Sequence, residues 1–405
     1  MERIKRWNII YHEKLEYKFI VNQKIKVAHI VTNFALGGAQ DYLLTTIQNL
    51  DQEKFDLYIL AKLEGERTEV LNSLENVKCF DVPDLSREIS PFKDLIAIVQ
   101  IYRLLRKFEI DIVHTHSSKA GVVGRIAAKL ANVKVIVHTI HGFSFHDFMS
   151  KTKRKTFIVL ERIMAIITDV LLLVSKREKL IALELKIKPR KIIETIYNGV
   201  DFLPFSKSFS NEVLRKELGF DSSHFIIGFS GRFSQQKALH ILIEAFSIIH
   251  REFPQTRLLL VGDGILKIDL KKQSERLKIS NKIVMTGFQD DVAPFYQVMN
   301  IFVMTSLWEG LSRCLAEAMY SKLPVIATDV GGTSDAVINF ETGWLIKPND
   351  VHAVVDSLRE AILNPELSRE MGENGYKFAR SSFDLLKSSK QISQLYEKVF
   401  SINYL

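Results

Sequence analysis

Two glutamates, Glu309 and Glu317, stand eight positions apart in "FVMTSLWEGLSRCLAEAMYSKLPVIATDVGG" (302–332), between two strand-like apolar runs. A carboxylate beside such runs is costly to desolvate unless something satisfies it. If a helix runs from about Ser312 to Tyr320, Glu309 sits at its entrance, where negative charge suits the helix dipole. Glu317 then lies about two turns further in, broadly on the same side. Carboxylates so placed accept hydrogen bonds from vicinal hydroxyls, the chemistry of sugar and ribose recognition. Spacing alone leaves a plainer alternative, an N-terminal Glu followed by a helix-surface Glu. Upstream, "GFSGRFSQQKALHILIEAF" (228–246) ends a strand at Gly231 and carries Arg232 and Lys237 in the loop that opens a helix. Two cations beside unpaired helix N–H groups suit a phosphate; solvated surface charge is the other reading. "VGDG" (261–264) and "MTGF" (285–288) are further glycine-bearing strand ends, and no GxGxxG is present. His141 ends "VIVHTIHG", where a lone histidine is ordinarily a structural hydrogen-bonder.

Strands alternating with helices must position these groups. Strand patterns at 25–32, 55–60, 77–82, 110–116, 133–142 and 169–175 are separated by helical ones, with Gly37-Gly38 turning the first strand into a helix over Ala39–Leu50. A turn-rich stretch, "YNGVDFLPFSKSFSNE" (197–212), breaks the rhythm and reads as a linker. The alternation restarts with strands at 224–231, 256–264, 282–288, 301–306 and 323–332, and the last of three closing helix-like segments spans roughly 383–400. The pattern is α/β, two doubly wound parallel sheets covered on both faces. Ligands of such sheets bind at the carboxyl ends of the strands, where the residues above fall.

At 405 residues the chain suits two domains, and 47% hydrophobic with 25% charged residues describes a globular protein. The net charge of +8 is uneven: residues 1–200 carry +9, the remainder −1, and residues 101–190 alone +11. Such a field suits a phosphate-bearing partner, and solvated helix faces are the alternative. Nucleic acid is not expected, because no aromatic-rich basic face accompanies the charge. Two distant cysteines and the lack of any CxxC fit a reducing compartment. The start lacks the apolar core of a signal peptide, and the longest apolar run, Phe157–Ser175, is interrupted by Glu161, Arg162 and Asp169. No His/Asp cluster has metal-ligand spacing.

"EGLSRCLAEAM", preceded by "GRFSQQK" and "VGDG" and followed by "PVIATDVGG", resembles the donor half of glycosyltransferase family 4, retaining enzymes of the GT-B fold. "LGGAQ" (36–40) and "IYNGVD" (196–201) extend the resemblance to almost the whole chain from about residue 25, and 114–143 is similar to a bacterial subgroup that builds capsules, exopolysaccharides and lipid-linked glycans. Two Rossmann-like domains facing across a cleft are implied: acceptor-binding over 25–200, nucleotide-sugar-binding over 201–382. Residues 383–405 would cross back to the first domain, and residues 1–24 are an extension outside the resemblance.

The resemblance assigns Arg232 and Lys237 to the donor diphosphate, Glu317 to the ribose hydroxyls and Glu309 to the transferred sugar with backbone N–H groups near Gly310 and Leu311. Gly287 and Phe288 would flank the base. Gly231 would turn the loop, and Gly37 and Gly38 would let backbone approach the donor or acceptor. His141 would lie near the transferred sugar. The donor is read as a UDP-linked sugar such as an N-acetylhexosamine. It is a substrate, so neither cofactor nor metal is implied. The acceptor is a glycan or a polyprenyl-diphosphate-linked sugar. The cluster Lys151, Lys153, Arg154, Lys155 on an amphipathic helix implies peripheral contact with an anionic membrane at the inner face of the cell membrane. Two departures stand out: Ala238 replaces the usual glycine after the lysine, and Gln40 replaces an acid. The alternatives are a GT-B epimerase acting on the donor alone and a non-catalytic binding subunit.

Overall fold

The computed structural model describes residues 24–34, 37–65, 68–71, 74–207 and 209–402. The expected extension lies outside the described residues except for Lys24. Among the described residues the first half holds strands β1 (Ile25–Asn33), β2 (Phe55–Lys62), β3 (Val77–Asp81), β4 (Ile112–His116), β5 (Val135–Ile140), β6 (Val170–Leu173) and β7 (Ile192–Thr195). They form one parallel sheet in the order β3-β2-β1-β4-β5-β6-β7. The second half holds β8 (Phe225–Ser230), β9 (Thr256–Val261), β10 (Ile283–Met285), β11 (Ile301–Met304), β12 (Val325–Thr328) and β13 (Gly343–Ile346), parallel in the order β10-β9-β8-β11-β12-β13. Both orders reverse direction beside their first strand, and that switch point opens a crevice at the carboxyl edge.

The central strands are buried on both faces, as continuous apolar runs require. One face of the first sheet carries the helices Pro91–Phe108, Ser118–Leu130 and Lys151–Ala165 side by side. They are stitched by Lys119 to Asp94 and by a buried ion pair, Arg125 Nη2 to Glu161 Oε2 at 3.1 Å. The other face carries Gly38–Gln48 and the last helix, Leu385–Ile402, whose Ile392, Tyr396 and Val399 pack with Val27, Leu43 and Ile47. The last described helix therefore packs on the half that holds the first described strand. Phe383 O accepts from Val200 N (2.8 Å) where the two crossing segments meet.

The edge strands β7 and β13 lie beyond the sequence expectation. Each is four residues long; β7 is only half buried and half polar, and β13, though apolar, is too short to stand out from the turn that precedes it. Among its described residues the turn-rich connector has no strand, and it holds a 3₁₀ turn at Pro204–Ser206 and the start of a helix at Asn211.

Candidate active site

The loop after β11 carries Glu309 and Gly310 and leads into the helix Arg313–Tyr320, with Ser312 at its N-cap. Glu309 Oε1 accepts from Lys237 Nζ at 2.5 Å, and its other oxygen from Gln236 Nε2 at 3.3 Å. Burial pushes the Lys237 ammonium down, yet the Glu309 carboxylate outweighs it and leaves the group above its ordinary value. Arg232 is exposed on the same loop, close enough for its charge to oppose that of Lys237. Glu317 is buried. Its Oε1 accepts from Arg313 Nε at 2.7 Å and its Oε2 from the Tyr296 hydroxyl at 3.0 Å. Each oxygen keeps lone-pair capacity for a further donor. Cys314 lies between the two glutamates and Lys237, and burial pushes its thiol up.

The two halves meet here through close backbone contact. A Cβ on Gly310 would fall 2.0 Å from His141 O, and Gly142, at φ +131°, places its own Cβ position 3.1 Å from Gly310 N. Arg313 Nη1 reaches Asp41 Oδ2 of the first half at 3.0 Å. The rings of Trp308 and His146 stack across the gap with centroids 3.9 Å apart. Farther along the rim, Asp335 accepts from Lys176 N and Arg177 N, the first amides of the helix Lys176–Glu184, and from the Tyr197 hydroxyl at 3.2 Å. Arg177 also pairs with Asp329.

Among the predicted site residues, Arg232, Lys237, Glu309 and Glu317 converge, and Gly310 lies against His141. A Cβ on Gly37 would fall 3.6 Å from Arg232 Nη2, which brings the first glycine loop to the same point; at Gly38 nothing lies within 4 Å. Gly231 (φ +146°) and Gly287 (φ +77°) occupy backbone regions that favour glycine, and Phe288 is exposed nearby. Leu311 puts its side chain into the second core, so only its backbone faces the loop. Ala238 holds φ 45°, ψ 42°, the left-handed conformation for which the family's glycine is suited. Gln40 is buried and donates to Asn33 O (3.3 Å), while the acid beside it, Asp41, holds Arg313. Lys151, Lys153, Arg154 and Lys155 lie apart from this group, in the first turn or so of their helix.

The sequence shows no His/Asp cluster with metal-ligand spacing, but the fold brings three histidines from two strands together. Nitrogens of His29, His114 and His116 lie within 4.8 Å of one another. Hydrogen bonds engage five of their six ring nitrogens, and His29 Nε2 is buried without a partner. His29 Nδ1 meets His116 Nε2 at 3.1 Å, and His116 Nδ1 meets His141 Nε2 at 3.1 Å. His114 is held by the Tyr396 hydroxyl (2.5 Å) and Thr139 Oγ1 (2.6 Å). Burial pushes His141 down to about 4 and His29 to about 3, so the row is neutral at pH 7. Sequence distance hid the His29 member, but the "HTH" alternation already placed His114 and His116 on one face of a strand. His141 Nδ1, Ser117 Oγ and Ser144 Oγ are buried without a hydrogen-bond partner, and all three residues line a cavity of about 160 Å³.

Glu178 is buried behind the His141 loop, with Oε2 unpartnered. Burial raises its carboxyl to about 8, a hydrogen bond from the Phe143 backbone opposing and Asp335 adding to the shift. Between the ordinary value of 4.5 and about 8, the folded protein keeps a proton that the unfolded chain releases. Stability therefore falls as pH rises through that window, by up to about 1.4 kcal/mol per unit. Glu178→Gln should flatten this part of the melting-temperature profile; an unchanged slope would refute the assignment.

Residues 36–202 match the family described as Glycosyltransferase Family 4, and residues 210–378 match Glycosyl transferases group 1. The chain is 33% identical, over 93% of its length and 97% of the relative's, to the Escherichia coli protein named UDP-Gal:alpha-D-GlcNAc-diphosphoundecaprenol alpha-1,3-galactosyltransferase. It is 26% identical over 92% of its length, and 96% of the relative's, to the Staphylococcus aureus capsular polysaccharide biosynthesis glycosyltransferase CapM. In fold it is similar to Anabaena Alr3699/HepE, solved with UDP and glucose (TM-score 0.79, 22% identity, 92% of this chain and 100% of that one). It is likewise similar to the Thermosynechococcus elongatus sucrose-phosphate synthase (TM-score 0.82, 20% identity, 94% and 100%). The two parallel sheets, the cleft between them and this relationship agree: the chain is a glycosyltransferase of family 4.

Proposed function

We propose that the cleft transfers a hexose with retention from a UDP-linked donor to a polyprenyl-diphosphate-linked sugar in surface polysaccharide assembly. The observation that carries this is the convergence of Arg232, Lys237, Glu309 and Glu317 opposite His141. Arg232 and Lys237 neutralise the diphosphate, whose charge grows as the sugar leaves. Glu317 holds the ribose hydroxyls, already ordered by Arg313 and Tyr296. Glu309 receives sugar hydroxyls beside the N–H groups of Gly310 and Leu311, and Gly287 with Phe288 flanks the base. Gly37 and Gly38 bring backbone to the donor phosphates or the acceptor, and His141 faces the transferred sugar. The anomeric carbon loses its bond to the phosphate oxygen and gains one to the acceptor oxygen on the same face. The departing phosphate oxygen takes the acceptor proton, so the scheme needs neither a dedicated base nor a metal.

The name of the Escherichia coli relative supports UDP-galactose as donor and a lipid-linked N-acetylglucosamine as acceptor. No helix among the described residues is long and apolar enough to cross a membrane. The protein is read as cytoplasmic, meeting the lipid-borne acceptor from the inner face of the membrane. Lys151, Lys153, Arg154 and Lys155 crowd the first turns of a helix, where the dipole disfavours cations. That arrangement opposes local stability and suits an anionic surface.

The test is a thermal-shift screen of nucleotide sugars followed by product analysis. UDP-galactose should raise the melting temperature, by an increment equivalent to about 2.7 kcal/mol at a hundred times Kd, and UDP-N-acetylhexosamines less. Transfer should require the lipid-linked acceptor. Donor turnover without acceptor would point to an epimerase, and no shift with any nucleotide sugar would end the proposal.

A further inference from the structure

The helix Pro91–Phe108 is apolar on two opposite faces. Ala97, Ile101 and Leu105 enter the core. On the other side Phe92 is 85% exposed and Leu95 61%, with Ile96, Val99 and Tyr102 also exposed, and Ile89 just before the helix is 79% exposed. These positions follow one another at three- and four-residue steps, so they form a single stripe about 15 Å long. A solvated helix normally shows charge there, and a contiguous apolar patch on a soluble face marks an interaction site.

Charge selects the occupant. Residues 87–107 contain five cations, Arg87, Lys93, Arg103, Arg106 and Lys107, against two acids, Glu88 and Asp94, and Asp94 is tied to Lys119. The layer also contains Lys151, Lys153 and Lys155, all exposed, one helix beyond Ser118–Leu130. Each of these helices follows a strand of the parallel sheet and so starts at the sheet's carboxyl edge, the side of the catalytic cleft. Two copies of so cationic a face would repel one another, whereas an anionic bilayer complements the charge and receives the apolar side chains.

We propose that the Ile89–Tyr102 stripe inserts into the interfacial zone of an anionic bilayer and seats the cleft over its lipid-borne acceptor. Phe92, Leu95, Ile96 and Val99 enter among the acyl chains near the headgroups, while the lysine cluster of the neighbouring helix lies on the surface. The inference builds on the peripheral-contact reading and adds an apolar anchor to it.

The experiment measures binding of the full chain to phosphatidylglycerol-rich and to pure phosphatidylcholine vesicles by sedimentation. Wild type should bind the anionic vesicles. A variant with Phe92→Ser, Leu95→Ser, Ile96→Ser and Val99→Ser should bind them at least tenfold more weakly, with an unchanged melting temperature. Because four substitutions can disturb folding, Phe92→Trp supplies a second readout: bromines on the upper acyl chain should quench its added emission. The charge variant, with Lys151, Lys153, Arg154 and Lys155 all changed to Gln, separates the two readings. Loss of binding in that variant alone, with the serine variant binding as wild type, removes the apolar anchor and keeps the electrostatic contact. Failure of wild type to bind, an unquenched Trp, or a solution dimer that the serine variant dissolves would also overturn the proposal.

Discussion

Glu309→Ala should lower kcat for sugar transfer at least 10³-fold, the largest loss expected from any single side chain of the cleft. Two effects add. The carboxylate that receives the sugar hydroxyls disappears, and a single preorganised polar group of this kind is worth about 10²–10³ in rate. In addition, Lys237 loses the partner held at 2.5 Å and swings from the position it needs beside the diphosphate. Glu309→Gln keeps the shape and one acceptor atom, so its loss should be smaller, with the melting temperature close to wild type. Steady-state kinetics on the two variants decide the matter. Transfer retained in the alanine protein would favour the reading in which the fold serves as a binding subunit.

Gly310→Ala should cost about 10² in kcat while the two cores melt as before. The added methyl would stand 2.0 Å from His141 O and 2.7 Å from its carbon, both backbone atoms that cannot rotate away. The loop must therefore retreat from the first half, and misplacement by about 1 Å is enough for a loss of this size. Donor binding, held chiefly by Arg232 and Lys237 on the diphosphate and Glu317 on the ribose, should change less than turnover. Equal losses in donor affinity and kcat would show that the contact does something other than align the halves.

Much of this was legible in the chain because it rests on local patterns. Apolar runs bounded by glycine located the interior strands, and the residues after them fell at the carboxyl edges where the cleft forms. Arg232, Lys237 and Glu309 follow two strand ends of one half and Glu317 sits in the helix after the second, and the family resemblance gave these four their roles where spacing alone left them open. The rest depends on contacts between distant segments. Arg313 gives no sign in the sequence that it ties Glu317 to Asp41, and Gln40 reads as a lost acid although the next residue provides one across the cleft. The His29–His116–His141 row needs three strands in register, which periodicity within one strand cannot reveal. The helix Pro91–Phe108 looks like an ordinary apolar helix until its outer face is seen to lack a cover.

Asp335 gathers three donors from the opposite half and its connector: two amides at the start of one helix and the hydroxyl of Tyr197. Because one carboxylate serves them all, the seam on this side hangs on a single side chain: separating the halves there breaks all three bonds together, and the Arg177–Asp329 pair beside them resists the same parting.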